Sequence, residues 1–254
     1  MAEEAHGKQH GPLDQFEIDH ILHLEVFGID ASFTNSALWM VIVVATVTLF
    51  LSLSMSGRAV VPGRWQSLAE VAYDLIANAV RDNVGKEGRA YFPLVFTLFM
   101  FILFANFLGL IPFSFTVTSH IIVTFAMAGF VFVGVTVLGI VRHRLKFFTL
   151  FSPPGVPIYL APLLVPIEII GSLPRPISLG VRLAANMLAG HTMLEVFAGF
   201  VVTMGAANII FGIAPFAAVI AIYALEVIVA FLQAYVFAVL TCLYLSDAIH
   251  LHQH

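Results

Sequence analysis

An all-α integral membrane protein, with about five membrane-embedded helices, one amphipathic helix and a long, strongly tilted final pair, is the fold class that three features predict. Of 254 residues, 60% are hydrophobic and only 10% charged, against roughly 25% charged in soluble domains; mean hydropathy is +1.00. Apolar runs reach the 18 or so residues that let a helix cross a hydrocarbon core of about 30 Å. Lysines and arginines gather in particular connections between those runs.

Composition also excludes functions. Net charge is -4 and the eleven Lys and Arg residues are divided among separate connections rather than drawn into one continuous basic face, which makes nucleic acid an unexpected partner. A single cysteine, Cys242, rules out an internal disulfide framework or cysteine metal cluster and reads as a buried structural thiol. No cofactor is expected. Residues 1–36 form an acidic segment, without the basic and apolar regions of a cleavable signal peptide.

Residues 37–254 read as one helical membrane domain. The first span is expected over 37–55. It is followed over 64–84 by a helix whose polar Ser67, Glu70, Asp74, Asn78 and Arg81 recur at helical spacing opposite Leu68, Val71, Ala72, Leu75, Ile76 and Val80, the pattern of an interfacial or bundle-flank helix. Further spans are expected over 93–115 and 121–141. Arg58, Arg64, Arg81, Lys86 and Arg89 lie in the first connection, and Arg142, Arg144 and Lys146 follow the third span. By the positive-inside bias both connections are cytoplasmic and the N-terminus is outside.

From 157 to 249 the chain is almost unbroken apolar sequence. Four short crossings or two long oblique helices both fit its length; the glycine and proline of "NIIFGIAPF" mark a turn near its middle, which favours a tilted hairpin ending inside.

Within that hairpin, from Pro157 to Leu245, Glu168, Arg175, Arg182, His191, Glu195 and Glu226 are the charged or ionisable interruptions apart from Tyr and Cys. A charge at the centre of a membrane helix costs about 2.5 to 3.5 kcal/mol on insertion scales and usually marks a pathway or a partner. A guanidinium keeps its proton, so Arg182 is no proton carrier; it favours the ionised form of an acid brought beside it. Glu168, Arg175 and Arg182 follow one another at intervals of seven, so they share a stripe, Glu168 about 21 Å from Arg182. Asn186 falls near the same stripe. His191 lies about 180° round the helix from Arg182, with Glu195 one turn further. This division suits two separate wet cavities better than one pore. On the last helix Glu226 and Gln233 are seven apart, with Tyr223 and Tyr235 nearby; carboxylates and a histidine suit proton hopping. No acid lies within a turn of Arg182, so its partner is expected on another subunit.

These residues have a familiar arrangement. "SLGVRLAANMLAGH" and "YALEVIVAFLQAYVFAVLTCLYLSDA", supported by "PLVFTLFMFILFANFLGLIPF", closely resemble the subunit a family of F-type ATP synthases, in its alpha-proteobacterial and mitochondrial form. The resemblance implies that Arg182 faces the carboxylate of each passing c subunit between two proton half-channels. It places Asn186, His191, Glu226 and Gln233 in the arginine neighbourhood and outer half-channel, and Glu168 near the inner route. Many bacterial members carry glutamate at the position of His191 and histidine at that of Glu226; here the pair is exchanged. The resemblance further implies a non-catalytic subunit in the bacterial inner membrane, with a c-ring, peripheral-stalk b subunits, the rest of the synthase, lipids and protons as partners.

Simpler readings stand beside these. Arg175, between Pro174 and Pro176, is either a structural cation at a helix break or a functional one, and Glu168 a channel residue or an interfacial acid. Asn186 and Gln233 also suit plain interhelical hydrogen bonding. Glu195 is less typical of the family. His191 and Glu195 lack a third ligand for a metal site, and His250, His252 and His254 read as a solvated tail. The rival function is a proton-coupled secondary transporter, though no internal repeat relates the two halves.

Overall fold

A computed structural model describes residues 20–22, 25–26, 29–30, 33–56, 62–111, 114–143, 171 and 174–249. It is a helical membrane fold. Five of its helices are long and apolar enough to cross a bilayer. Helices α1 (Asn35–Ser56), α2 (Arg64–Val84), α3 (Phe92–Gly109), α4 (Ile121–His143), α5 (Pro174–Ala207) and α6 (Ile209–Ile249) are joined in part by short 3-10 turns at Gly85–Ala90 and Val117–Ser119. Before α1 lie two small antiparallel ladders that a purely helical expectation lacks: β1 (His20–Leu22) pairs with β4 (Phe33–Thr34), and β2 (Glu25–Val26) with β3 (Ile29–Asp30). Each strand has only two or three residues, too few for alternation to stand out in a sequence.

The spans solve the problem of backbone in lipid by internal hydrogen bonding. Their hydroxyls do the same: Thr46 and Thr48 of α1 donate to the carbonyls of Ile42 and Val44 at 2.7 and 2.8 Å. Helix α2 is different. Its buried stripe of Ala69, Ile76, Ala79, Val80 and Val84 packs against α3 and α6, while Leu68 and Val71 from the same apolar side remain exposed. It ends at Gly85, whose φ of 78° is reached without the steric penalty a Cβ would bring.

Helix α3 stops at Gly109, earlier than the apolar run to Phe115 implies. Pro112 stands three residues on and cannot continue a helix. Ser114 instead closes the turn, its hydroxyl within 2.6 Å of Leu108 O and 2.7 Å of Ile111 O.

Helix α6 is the hub. Ala234, Phe237, Ala238, Cys242, Leu245 and Ile249 meet Ile76 and Val80 of α2, Val95 and Phe99 of α3, Val131 of α4 and Leu183 of α5 in one core. Asn106 of α3, fully buried, donates to Ala230 O at 3.1 Å. Helices α5 and α6, of 34 and 41 residues, measure about 51 and 61 Å, so they run obliquely through a core of about 30 Å or project beyond it. A single residue, Asn208, joins them: its amide bonds back to Met204 O at 3.0 Å, and its side chain caps α6 by accepting from Ile210 N at 3.1 Å. The break is at Asn208 alone, for α6 continues through Pro215.

Candidate functional site

Antiparallel packing of α5 on α6 turns isolated polar residues into a ladder. Its members on α5 recur at roughly one-turn intervals: Arg182, Asn186, then Gly190 with His191, then Glu195. One turn is about 5.4 Å of rise, so the ladder extends about 20 Å.

Arg182 lies at one end and is exposed, among exposed Ile177, Val181 and Leu188. The opposite side of this stretch, Leu179, Leu183, Ala184 and Met187, is buried. No acid among the described residues forms an ion pair with Arg182. A permanent cation thus projects from an apolar face of the chain.

One turn on, Asn186 Nδ2 donates to Gln233 Oε1 at 3.2 Å. Gln233 is buried, and its own amide nitrogen has no hydrogen-bond partner among the described residues. The next rung joins a gap to a charge. Glu226, 4% exposed, lays its side chain against Gly190; a Cβ built there would overlap the carboxyl group. Neither carboxyl oxygen has a hydrogen-bond partner among the described residues, which leaves both open to a proton or a water.

His191 faces a different space. It lines a cavity of ≈ 760 Å³ together with Asn35, Trp39, Ser114, Glu195 and Tyr223, a polar set in apolar walls and wide enough for water. Arg182, Asn186, Gln233 and Glu226 are not among the residues that line it. Tyr223 donates to Leu110 O at 3.3 Å at its edge.

The imidazole is held by a residue that periodicity did not single out. Thr116 Oγ1 lies 3.0 Å from His191 Nε2 and 3.3 Å from Gly109 O. When the hydroxyl proton points to the carbonyl, its oxygen accepts from Nε2–H and Nδ1 becomes the basic nitrogen. Thr116 is buried, and its Cγ2 would lie 2.7 Å from a Cβ on Gly109, so the missing side chain at 109 is what lets it in. Nearby, His120 stacks on Phe115 with ring centroids 4.8 Å apart, and burial lowers its pKa from the usual histidine value.

Of the residues singled out by sequence, the structure brings together Asn186 with Gln233, and His191 with Glu195 around the cavity. It holds Arg182 apart from both His191 and Glu195. Glu168 and the side chain of Arg175 lie outside the described residues. Thr116 and Gly190 were missed: one sits in a turn between spans, the other acts through the side chain it lacks.

Comparison with known proteins gives one consistent result. Residues 37–246 match the family model described as ATP synthase A chain. The chain is 55% identical to ATP synthase subunit a of Paramagnetospirillum magneticum, over 95% of this chain and 99% of the relative. It is 54% identical to that of Parvibaculum lavamentivorans, over 94% and 93% respectively, and 50% identical to that of Rhodospirillum rubrum, over 96% and 100%.

Proposed function

The chain belongs to the ATP synthase subunit a family, a multi-pass membrane component of the F-type complex, and we propose that it forms two offset proton half-channels with Arg182 between them. The observation that carries this reading is the separation between the exposed Arg182 and the His191 cavity, with the Asn186–Gln233 bond and the Gly190–Glu226 packing in between, Gln233 and Glu226 buried. The match over nearly the whole chain does not favour an independent secondary transporter.

In this mechanism the cavity is the outer half-channel. A proton arriving through it reaches His191, where Thr116 holds Nε2 and Nδ1 takes up the exchangeable proton. Tyr223 and Glu195 supply further oxygen atoms for water and proton hopping. Glu226 receives the proton behind Gly190 and passes it to a carboxylate on a neighbouring ring of c subunits, whose neutral form then enters lipid. Asn186 and Gln233 line the approach to that ring.

Arg182 acts at the other end. It favours the ionised carboxylate as each c subunit passes, which drives release of the proton to an inner cavity near Glu168, and its fixed charge repels a proton moving directly between cavities. Arg175 supports the start of the helix that presents it. A charge crossing the whole potential releases about 2.3 kcal/mol per 100 mV; that work turns the ring, while ATP chemistry takes place on other subunits and this one is non-catalytic.

The same reading places residues 1–36 outside and 37–254 as a single membrane domain of the bacterial inner membrane, C-terminus cytoplasmic, beside the c-ring and peripheral-stalk b subunits. Its test is Arg182→Ala in membrane vesicles. ATP-driven proton pumping is expected to vanish while the complex still assembles; coupled pumping that persists would refute the gate.

A further inference from the structure

A second cavity lies at the opposite end of α3 from the His191 cavity, and no step of the proton path uses it. Its volume is ≈ 770 Å³, and it is lined by Tyr73, Ala77, Val80 and Arg81 of α2, Gly85, Lys86 and Arg89 of the following turn, and Phe92 and Pro93 at the start of α3. Three cations line it and no carboxylate does. None of the three forms an ion pair among the described residues. The acid of the same turn is diverted elsewhere: Glu87 is paired with Arg142 at the end of α4.

The surroundings define the kind of anion. Phe92 and Pro93 begin a membrane span, so the cavity lies where the apolar slab starts, with Ala77 and Val80 as further apolar wall. On α2 itself, Trp65, Leu68 and Val71 are 72%, 61% and 66% exposed, and Tyr73 is exposed at the cavity edge. Exposed Trp and Tyr beside apolar side chains are the signature of a helix lying at headgroup level. Basic pockets at that level suit phosphate, which two guanidinium groups can grip with paired hydrogen bonds.

We propose that this cavity is a binding site for the phosphate headgroup of an anionic phospholipid, held by Arg81, Lys86 and Arg89, with the acyl chains leaving along the apolar wall of Ala77, Phe92 and Pro93 beside Tyr73. A free inorganic phosphate shares the anion chemistry but has no use for the apolar wall of Ala77, Val80, Phe92 and Pro93. Glu87 is held off the site by Arg142, which ties the turn after α2 to the end of α4.

The test uses the intact synthase complex, stripped of lipid by detergent exchange and reloaded from phosphatidylcholine vesicles containing a minority of phosphatidylglycerol. Bound phosphatidylglycerol is counted by mass spectrometry. The combined variant Arg81→Gln, Lys86→Gln, Arg89→Gln is expected to retain at least about tenfold less of it, whereas Arg64→Gln, on the same helix outside the cavity, retains the wild-type amount. Millimolar inorganic phosphate is expected to leave retention unchanged. Equal retention by the triple variant overturns the proposal. Displacement by phosphate does so too, in favour of a free-anion site, and so does loss of a companion subunit with lipid retention intact, in favour of a protein interface. If the triple variant fails to assemble, Arg89→Gln alone is expected to lose about threefold, and unchanged retention there overturns it equally.

Discussion

Gly190→Ala is a one-carbon test of the rung between α5 and α6. The new Cβ would fall within the Glu226 carboxyl group, 2.6 Å from Cδ and 3.0 Å from Cγ, where carbon pairs settle at about 3.5–4.0 Å. The nearer carboxyl oxygen would overlap the new carbon outright, so the carboxyl must retreat by about 1–2 Å, at a cost of about 0.5–1.5 kcal/mol for a strained rotamer or about 1–3 kcal/mol if the helices cannot yield. Alanine returns about 1 kcal/mol in helix propensity. The net loss of stability is about 0–2 kcal/mol by these estimates, so assembly survives. The proton path suffers more, because nothing offsets a displaced carboxyl in the transfer step. A barrier raised by about 1–3 kcal/mol slows flux about five- to 150-fold. ATP-driven pumping in inverted vesicles, normalised to the amount of complex, measures this directly. Adding Glu226→Asp shortens the side chain by one methylene and is expected to restore part of the flux lost by Gly190→Ala. Wild-type pumping by Gly190→Ala would refute the assignment of Glu226 to a path that runs behind Gly190.

Two further outcomes follow from the turn before α4. Thr116→Val keeps the shape that fills the Gly109 notch but removes the hydroxyl at His191; losing a net hydrogen bond of about 0.5–1.5 kcal/mol is expected to slow pumping about two- to tenfold and to change its pH profile, while Thr116→Ser stays close to wild type. A Val variant with an unaltered profile would remove Thr116 from the relay. His120 makes a prediction about stability. Its pKa is lowered by burial from an unfolded value of about 6.5, so the unfolded chain takes up the proton more readily; the stability contributed by neutral His120 is complete above about pH 6.5 and is lost as pH falls below it. Thermal unfolding of the purified complex is expected to be less sensitive to acid in His120→Gln, and an unchanged sensitivity would show that the ring titrates freely.

The membrane helices were legible because lipid rewards a single property, apolar length, that needs no partner to be seen. The amphipathic character of α2 was legible for the same reason: Glu70, Asp74, Asn78 and Arg81 repeat within one segment. The rungs were another matter. That Asn186 meets Gln233, and Gly190 meets Glu226, depends on how α5 slides along α6, which neither helix encodes in its own periodicity. Hence the seven-residue spacings identified faces, while the contacts between faces came from the structure. The end of α3 shows the limit of hydropathy: Leu110, Ile111, Phe113 and Phe115 continue the apolar run, but the backbone turns, and that turn delivers Thr116 to His191.

The exposed position of Arg182 also bears on how the complex is built. Before any acid-bearing neighbour is beside it, the finished helix α5 presents its cation to lipid, an arrangement that lipid opposes. A solitary chain is therefore marked as incomplete by the membrane itself, and on the proposed mechanism docking against a row of carboxylates removes the mark. If that partner is the proposed ring, the order of assembly is biased: the ring is best formed first, and this subunit joins when there is already a surface that satisfies it.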